Sequence, residues 1–452
     1  MLDLGKRIWR RFTTGWRGYM APRSIRFNFS SLLTAQLWHR GCLGISAILV
    51  AHTFGRDSLG RLLTGISFVF MFWPLIDAGL AELFIRDVAG HREQLPAYVW
   101  QVIRLKSWLT LVSFLAIWAV AVAYTPMRKD LPLVTCLALI LIMESYTILL
   151  RSVFRIQERM HREAILWAID GSLKLAVVWS VIWMPGLSDP LLAIAIGWLA
   201  VGSLSCGLAA WVVRAWWPWR QVTASSRVGT WFALLQRSLP LVMVFSLSLM
   251  NLRVTIVFLG VLSSHADAGY FGAGERLLEA IQVLPLALAY VLLPVSARLA
   301  NSMEELRALT RRVLGWLIGG ALIVAWGLVV WGGWLLRLIF GSAFQQATSL
   351  MGVLAWIVVP LFLKPVMEKI LCGIHQQGMV WRAYLIVSCA NALALFIVVP
   401  AAGLSGAASC VLVAELASVA ILAVGLWWSL RQEQVVHALP QGAGAFVQVE
   451  NL

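Results

Sequence analysis

Charge is what this sequence has least of. Asp, Glu, Lys and Arg supply 13% of its 452 residues, and 60% are hydrophobic. Soluble domains carry about 25% charged residues, so a chain this apolar cannot cover itself in water, and lipid is its expected solvent. Long polar connections are missing too. No loop exceeds roughly 25 residues, which leaves no room for an extramembrane catalytic domain of ordinary size and makes a transporter, not an enzyme, the expectation. The six cysteines (Cys42, Cys136, Cys206, Cys372, Cys389 and Cys410) form no C-x-x-C pair. They fall in apolar stretches and read as small core residues, neither disulfides nor metal ligands. No cleavable signal peptide is evident, because the first twenty residues are basic and lack an apolar core. A glycine-rich stretch at Gly269–Gly274 follows no strand, and no Gly-Lys-Ser/Thr phosphate loop exists, so nucleotide binding is not expected.

Apolar runs of about 20 residues recur along the whole chain, each long enough to cross the hydrocarbon layer as a helix. The runs are continuous instead of alternating, which favours helices over a barrel. Twelve spans are predicted, from 31–53 and 62–84 through 108–125 to 381–401 and 404–430. The expected class is all-α: a polytopic membrane protein with about twelve transmembrane helices in two six-helix bundles. The expected division is a basic interfacial segment 1–30, a first bundle 31–213, a cytoplasmic linker 214–237, a second bundle 238–430 and a tail 431–452. Lys and Arg outnumber Asp and Glu 36 to 21. About 25 of the basic residues fall on the termini and even-numbered loops and about 5 on the odd-numbered ones, which places both termini in the cytoplasm.

An internal period supports two equivalent halves. Gly60 and Gly65 match Gly269 and Gly274, Arg86-Asp87-Val88-Ala89 matches Ser296-Ala297-Arg298, and Phe154-Arg155-Ile156-Gln157 matches Cys372-Gly373-Ile374-His375. Six helices per half make the repeats parallel, an arrangement in which transporters bind substrate between the halves.

Several stretches together resemble polysaccharide (O-antigen type) flippases. They are Gly55-Arg56-Asp57-Ser58-Leu59-Gly60, Leu75-Ile76-Asp77-Ala78-Gly79-Leu80, Phe154–Met160, Ala268–Glu279, Gly341-Ser342-Ala343-Phe344, Asn391 and Pro400–Ala408. The ordered set covers nearly the whole chain. The resemblance implies the multidrug/oligosaccharidyl-lipid/polysaccharide exporter superfamily. It further implies an undecaprenyl-pyrophosphate-linked oligosaccharide as substrate, turned from the cytoplasmic to the periplasmic leaflet of a bacterial inner membrane, with membrane lipids and a polysaccharide polymerase or other assembly proteins as partners. No cofactor and no nucleic acid are expected. The chain departs from the family where many relatives carry an acidic residue late in helix 7, because Arg253-Val254-Thr255 stand there. It also ends about twenty residues after its twelfth span, whereas peptidoglycan-precursor flippases of the superfamily usually have fourteen helices.

Six basic residues fall inside the predicted spans: Arg40, Lys174, Arg253, Arg276, Lys364 and Lys369. Facing lipid, they would together cost roughly 15–20 kcal/mol, so they must snorkel, pair or face water. Lys174 has Asp170 one turn away, Arg276 has Glu279, and Lys364 has Glu368. Arg40 and Arg253 lack a carboxylate within four residues and are 213 positions apart, which suggests equivalent places in the two halves. Arg40, Arg253, Arg276, Lys174 and Lys364 are therefore the candidate substrate-binding residues, because guanidinium groups grip phosphate through paired bonds. The competing reading is structural: each cation pairs with a distant carboxylate such as Asp77, Glu82 or Glu144. Asp77, Glu144, Asp170 and Glu275 are the candidates for ion coupling. A drug/cation antiporter of the same superfamily is the alternative function, and it should carry an acidic cavity.

Overall fold

A computed structural model describes residues 23–81, 83, 95–156, 160–184, 186–214, 231–299 and 302–431. Most of the expected interfacial segment, of the linker and of the tail lies outside these residues, as do Glu82 and Arg86–Ala89. Every described regular element is a helix. In chain order they are α1 (Arg23–Phe70), α2 (Trp73–Asp77), α3 (Leu95–Ala123), α4 (Leu131–Ile156), α5 (Met160–Ile182), α6 (Pro190–Arg214), α7 (Trp231–Leu262), α8 (His265–Leu299), α9 (Met303–Phe340), α10 (Val358–Gly373) and α11 (Gln377–Arg431). Helix α10 is led in by the helical turns of Ala347–Leu354.

Two of these elements are hairpins of two passes each. Helix α1 bends at Gly55 (φ 81°, ψ 178°) and α11 at Gly403 (φ 54°, ψ −135°). Positive φ with such ψ values is closed to any residue with a Cβ. Glycine at these two places lets the chain reverse without a polar loop. Counting both arms of α1 and of α11, the described residues make twelve passes.

Seven helices are long and apolar enough to cross a membrane unaided: α3 to α6, α9, the Ala347–Gly373 segment and α11. Helix α8 carries its charged residues Asp267, Glu275, Arg276 and Glu279 in its first half and an apolar run in its second. The length of α3 corrects the sequence expectation. It starts at Leu95, so Lys106, assigned by its charge to a cytoplasmic loop before a span at 108–125, belongs to the helix and is fully buried.

The chain divides into two compact units, Met1–Val242 and Met243–Leu452, with the boundary inside α7. In the first unit α1 packs along α5, and α4 along α6. The α1–α5 approach is close at Gly171, where a Cβ would meet the His39 Cα at 2.8 Å. In the second unit α10 is the central helix, packed against α8 and α11. The most apolar stretch of the Ala347–Gly373 segment is 78% buried, against 17% for α9. Helix α9 instead presents Trp316, Trp326, Trp331 and Trp334 outward. Trp316 and Trp334 are separated by about 27 Å of helix, close to the thickness of the hydrocarbon layer, as suits tryptophans anchoring at its two edges.

One guanidinium ties together the odd-numbered connections of the first unit. Arg61 donates from Nε to Asp130 Oδ1 (2.6 Å) and from Nη2 to Asp189 Oδ2 (2.8 Å). Asp189 also caps α6, accepting the backbone N–H of Leu191 and Leu192, with Pro190 at the position whose missing N–H costs nothing. Partial burial opposes ionisation of Asp189, but Arg61 and the two backbone donors outweigh it and hold its carboxyl below the usual range. A depressed carboxyl adds stability above its unfolded pKa and loses it as pH falls through the folded value. Asp189→Asn should therefore lower the melting temperature in detergent at pH 7 by the equivalent of at most about 1 kcal/mol. The gap to the natural protein should close as pH falls below about 4. A gap unchanged at pH 3 would assign the effect to capping alone.

Candidate functional site

Helices α7 and α8 form an antiparallel hairpin around Ser263 and Ser264, so a residue some ten places before the turn faces one some ten places after it. That register sets Arg253 on α7 opposite Glu275, Arg276 and Glu279 on α8. Arg253 stands about 14 Å of helix from the end of α7 and Glu279 roughly 21 Å from the start of α8, well inside a hydrocarbon layer of about 30 Å. Arg253 Nη2 donates to Glu279 Oε1 (2.9 Å), and Arg276 Nη1 donates to Glu279 Oε2 (2.5 Å). Arg253 Nη1 lies 3.5 Å from Glu275 Oε1. Two guanidinium groups thus converge on one carboxylate, and the four groups sum to zero charge.

These side chains differ in access. Glu275 is 2% exposed, Arg253 15%, Arg276 23% and Glu279 33%. Among the described residues, Glu275 Oε2 and Arg276 Nε are buried without a hydrogen-bond partner. A lone charged group facing lipid at mid-span costs about 2.5–3.5 kcal/mol; here each charge is met by an opposite one within the cluster. The structural expectation that Arg253 finds a distant carboxylate is met by Glu275 and Glu279, neither of which is Asp77, Glu82 or Glu144.

Arg40 is exposed on α1, fifteen positions before the Gly55 bend, and Arg253 stands ten before Ser263 in the turn that ends α7.

The remaining candidates are held in fully packed clusters. Lys174 pairs with Asp170 at 2.9 Å, as their spacing suggests, and Asp170 also accepts from Ser205 (2.6 Å) and lies 3.4 Å from His39. Glu144, partly buried on α4, is near enough to His39 to act on it through charge. Asp77 accepts from Lys106 (3.0 Å) and Ser145 (3.1 Å), all three buried. Lys364 corrects a pairing: its Nζ reaches Glu415 Oε2 (2.6 Å) and the Ser248 carbonyl (2.7 Å), not Glu368. Glu368 bonds Lys369 and Tyr384 instead. Asn251 extends the network, donating to Glu415 and accepting from Ser388. Lys364 is 3% exposed and Glu415 has no exposed surface, so neither reaches a ligand without repacking. Sequence reasoning overlooked Glu415, although an acidic residue in the apolar run Val411–Val419 is itself the signal. His39 and Asn251 carried no signal beyond being polar within a span.

Residues 25–300 match the family of polysaccharide biosynthesis proteins, which is more than half of the chain. The chain belongs to that family. The match takes in α1 to α8, and with them Arg253, Glu275, Arg276 and Glu279, and stops before Lys364 and Glu415. No curated protein matches this polysaccharide biosynthesis protein. Among solved structures it is similar to the lipid II flippase MurJ in an inward closed conformation, at 14% identity and a TM-score of 0.66, over 88% of this chain and 87% of that one. It is similar to an inward-facing multidrug resistance transporter of the MATE family and MOP superfamily, at 13% identity and a TM-score of 0.63, over 88% and 93%. A MOP superfamily transporter from Pyrococcus furiosus matches at 13% identity and a TM-score of 0.61, over 90% and 97%. At such identities the likeness is one of fold, that of the twelve-helix transporters.

Proposed function

We propose that this protein is a flippase without catalytic activity of its own. In this reading it moves an undecaprenyl-pyrophosphate-linked oligosaccharide from the cytoplasmic to the periplasmic leaflet of a bacterial inner membrane by alternating access. Its product feeds surface polysaccharide such as O-antigen or exopolysaccharide, with a polymerase or other assembly proteins downstream. The observation that carries the reading is the pair Arg253 and Arg276, two partly exposed guanidinium groups converging within the span of α7 and α8, in a chain of the polysaccharide biosynthesis family. Phosphate oxygens match the planar donor fork of arginine, and a pyrophosphate has enough oxygens to engage both. The fold is shared with a lipid II flippase and with multidrug exporters, and the paired arginines together with the family favour the flippase reading.

Deleting the protein should make a lipid-linked glycan accumulate on the cytoplasmic leaflet. Unchanged glycan distribution together with new sensitivity to cationic drugs would favour the antiporter instead. The orientation has its own test. In a background without the native cysteines, Ser302→Cys should label only from the cytoplasm and Ser188→Cys only from the periplasm. Labelling from the opposite sides would invert the direction of transport.

A further inference from the structure

Glu279 accepts from both arginines of the α7–α8 cluster, and it is also the most exposed of the four. One of its oxygens accepts from Arg253 and the other from Arg276, so the carboxylate bridges the two arginines. Each guanidinium has five donors. Arg276 uses Nη1 on Glu279 while its Nε stays buried without a partner. Glu275 is placed differently. It is 2% exposed and lies 3.5 Å from Arg253 Nη1.

We infer that Glu279 is a resident counter-ion which competes with the substrate's phosphate for Arg253 and Arg276, and that this exchange sets how tightly the site holds its cargo. The inference rests on the phosphate reading above and adds the residue that opposes it. An empty site of two bare guanidinium groups would be a costly concentration of like charge in a low dielectric. Glu279 neutralises it. An incoming pyrophosphate offers more oxygens than a carboxylate and takes both forks, while Glu279, the most exposed of the four, turns aside. When the lipid is to leave, Glu279 returns to the arginines and lowers the cost of release. A carrier needs this, because a site without a competitor would hold a doubly charged headgroup too tightly to turn over.

The test uses the purified full-length chain in detergent, titrated with inorganic pyrophosphate, with farnesyl pyrophosphate and with phosphatidylglycerol. Glu279→Gln keeps the shape and removes the charge. It should bind both pyrophosphates at least about tenfold more tightly than the natural protein, since a lost charged competitor is worth a factor of that size. Adding Arg276→Ala should cancel the gain, and phosphatidylglycerol, with one negative charge, should gain less. A preference for farnesyl over inorganic pyrophosphate would mark the ligand as a lipid headgroup, and equal binding a free anion. Should Glu279→Gln fail to accumulate, Glu279→Asp shortens the bridge by one methylene and should give a smaller gain of the same sign. A purely structural Glu279 would show the reverse: lower melting temperature with unchanged or weaker anion binding. If the natural protein binds pyrophosphate through Arg276 and neither Glu279 variant binds more tightly, the counter-ion idea is overturned and the phosphate site stands. If no form binds any pyrophosphate and Arg276→Ala exports glycan normally, the phosphate reading fails and the inference with it.

Discussion

Surface polysaccharide should fall by at least about tenfold when Arg276 is replaced by alanine, with the amount of protein in the membrane unchanged. Loss of a hydrogen bond to a charged partner is worth about 1.5–3 kcal/mol, or roughly ten- to a hundredfold in affinity. The protein should persist because Glu279 keeps its bond to Arg253 and no buried charge is orphaned. Arg276→Lys should rescue only partly, since lysine keeps the charge and loses the fork. Arg253→Ala is a different case. It leaves Glu275 buried with its nearest cation gone, so protein level and export should fall together. Adding Glu275→Gln should restore the level and not the export. Polysaccharide per unit of protein, measured in complemented deletion strains, separates the two losses. Full export by Arg276→Ala, or recovery of export by the double variant, would remove the arginines from substrate binding.

The largest effect on stability should come from the Lys364–Glu415 pair. Glu415→Ala strands an ammonium that is 3% exposed and leaves the amide of Asn251 without its acceptor. Breaking a buried ion pair from one side costs about 3–5 kcal/mol, whereas removing both charges is often neutral. Glu415→Ala and Lys364→Met should each sharply reduce folded protein. Lys364→Met combined with Glu415→Gln should recover most of it, because the glutamine oxygen still accepts from Asn251. Thermal unfolding followed by size-exclusion chromatography in detergent reads this directly. A Glu415→Ala protein as stable as the natural one would show that the pair is not holding α10 to α11.

What could be read from the sequence follows from which forces act within one segment. Hydrophobic length gives the twelve passes. The hairpin bends at Gly55 and Gly403 are visible as glycine between two apolar runs. The Asp170–Lys174 and Arg276–Glu279 pairs are visible because neighbours on one helix face are fixed by the helical repeat alone. Partners on different helices are not fixed in that way. Lys364 has Glu368 one turn away, yet the packing of α10 turns it toward Glu415 and the Ser248 carbonyl. Lys106 lies inside α3 and not ahead of it, because burial against Asp77 lets the helix begin earlier than the span expected at 108–125. The convergence of two arginines on Glu279 needed the antiparallel register of α7 and α8, which only the folded hairpin supplies.

The most direct test of the account is translocation by the purified protein in liposomes. A polyprenyl-pyrophosphate oligosaccharide carrying a fluorescent sugar would be placed in both leaflets, and the outer-leaflet label quenched by an impermeant reductant. The account predicts that the natural protein exposes the inner pool to quenching over time and that Arg276→Ala does not. An inner pool equally protected with the natural protein and with empty liposomes, in vesicles that do carry a cationic dye across, would contradict it.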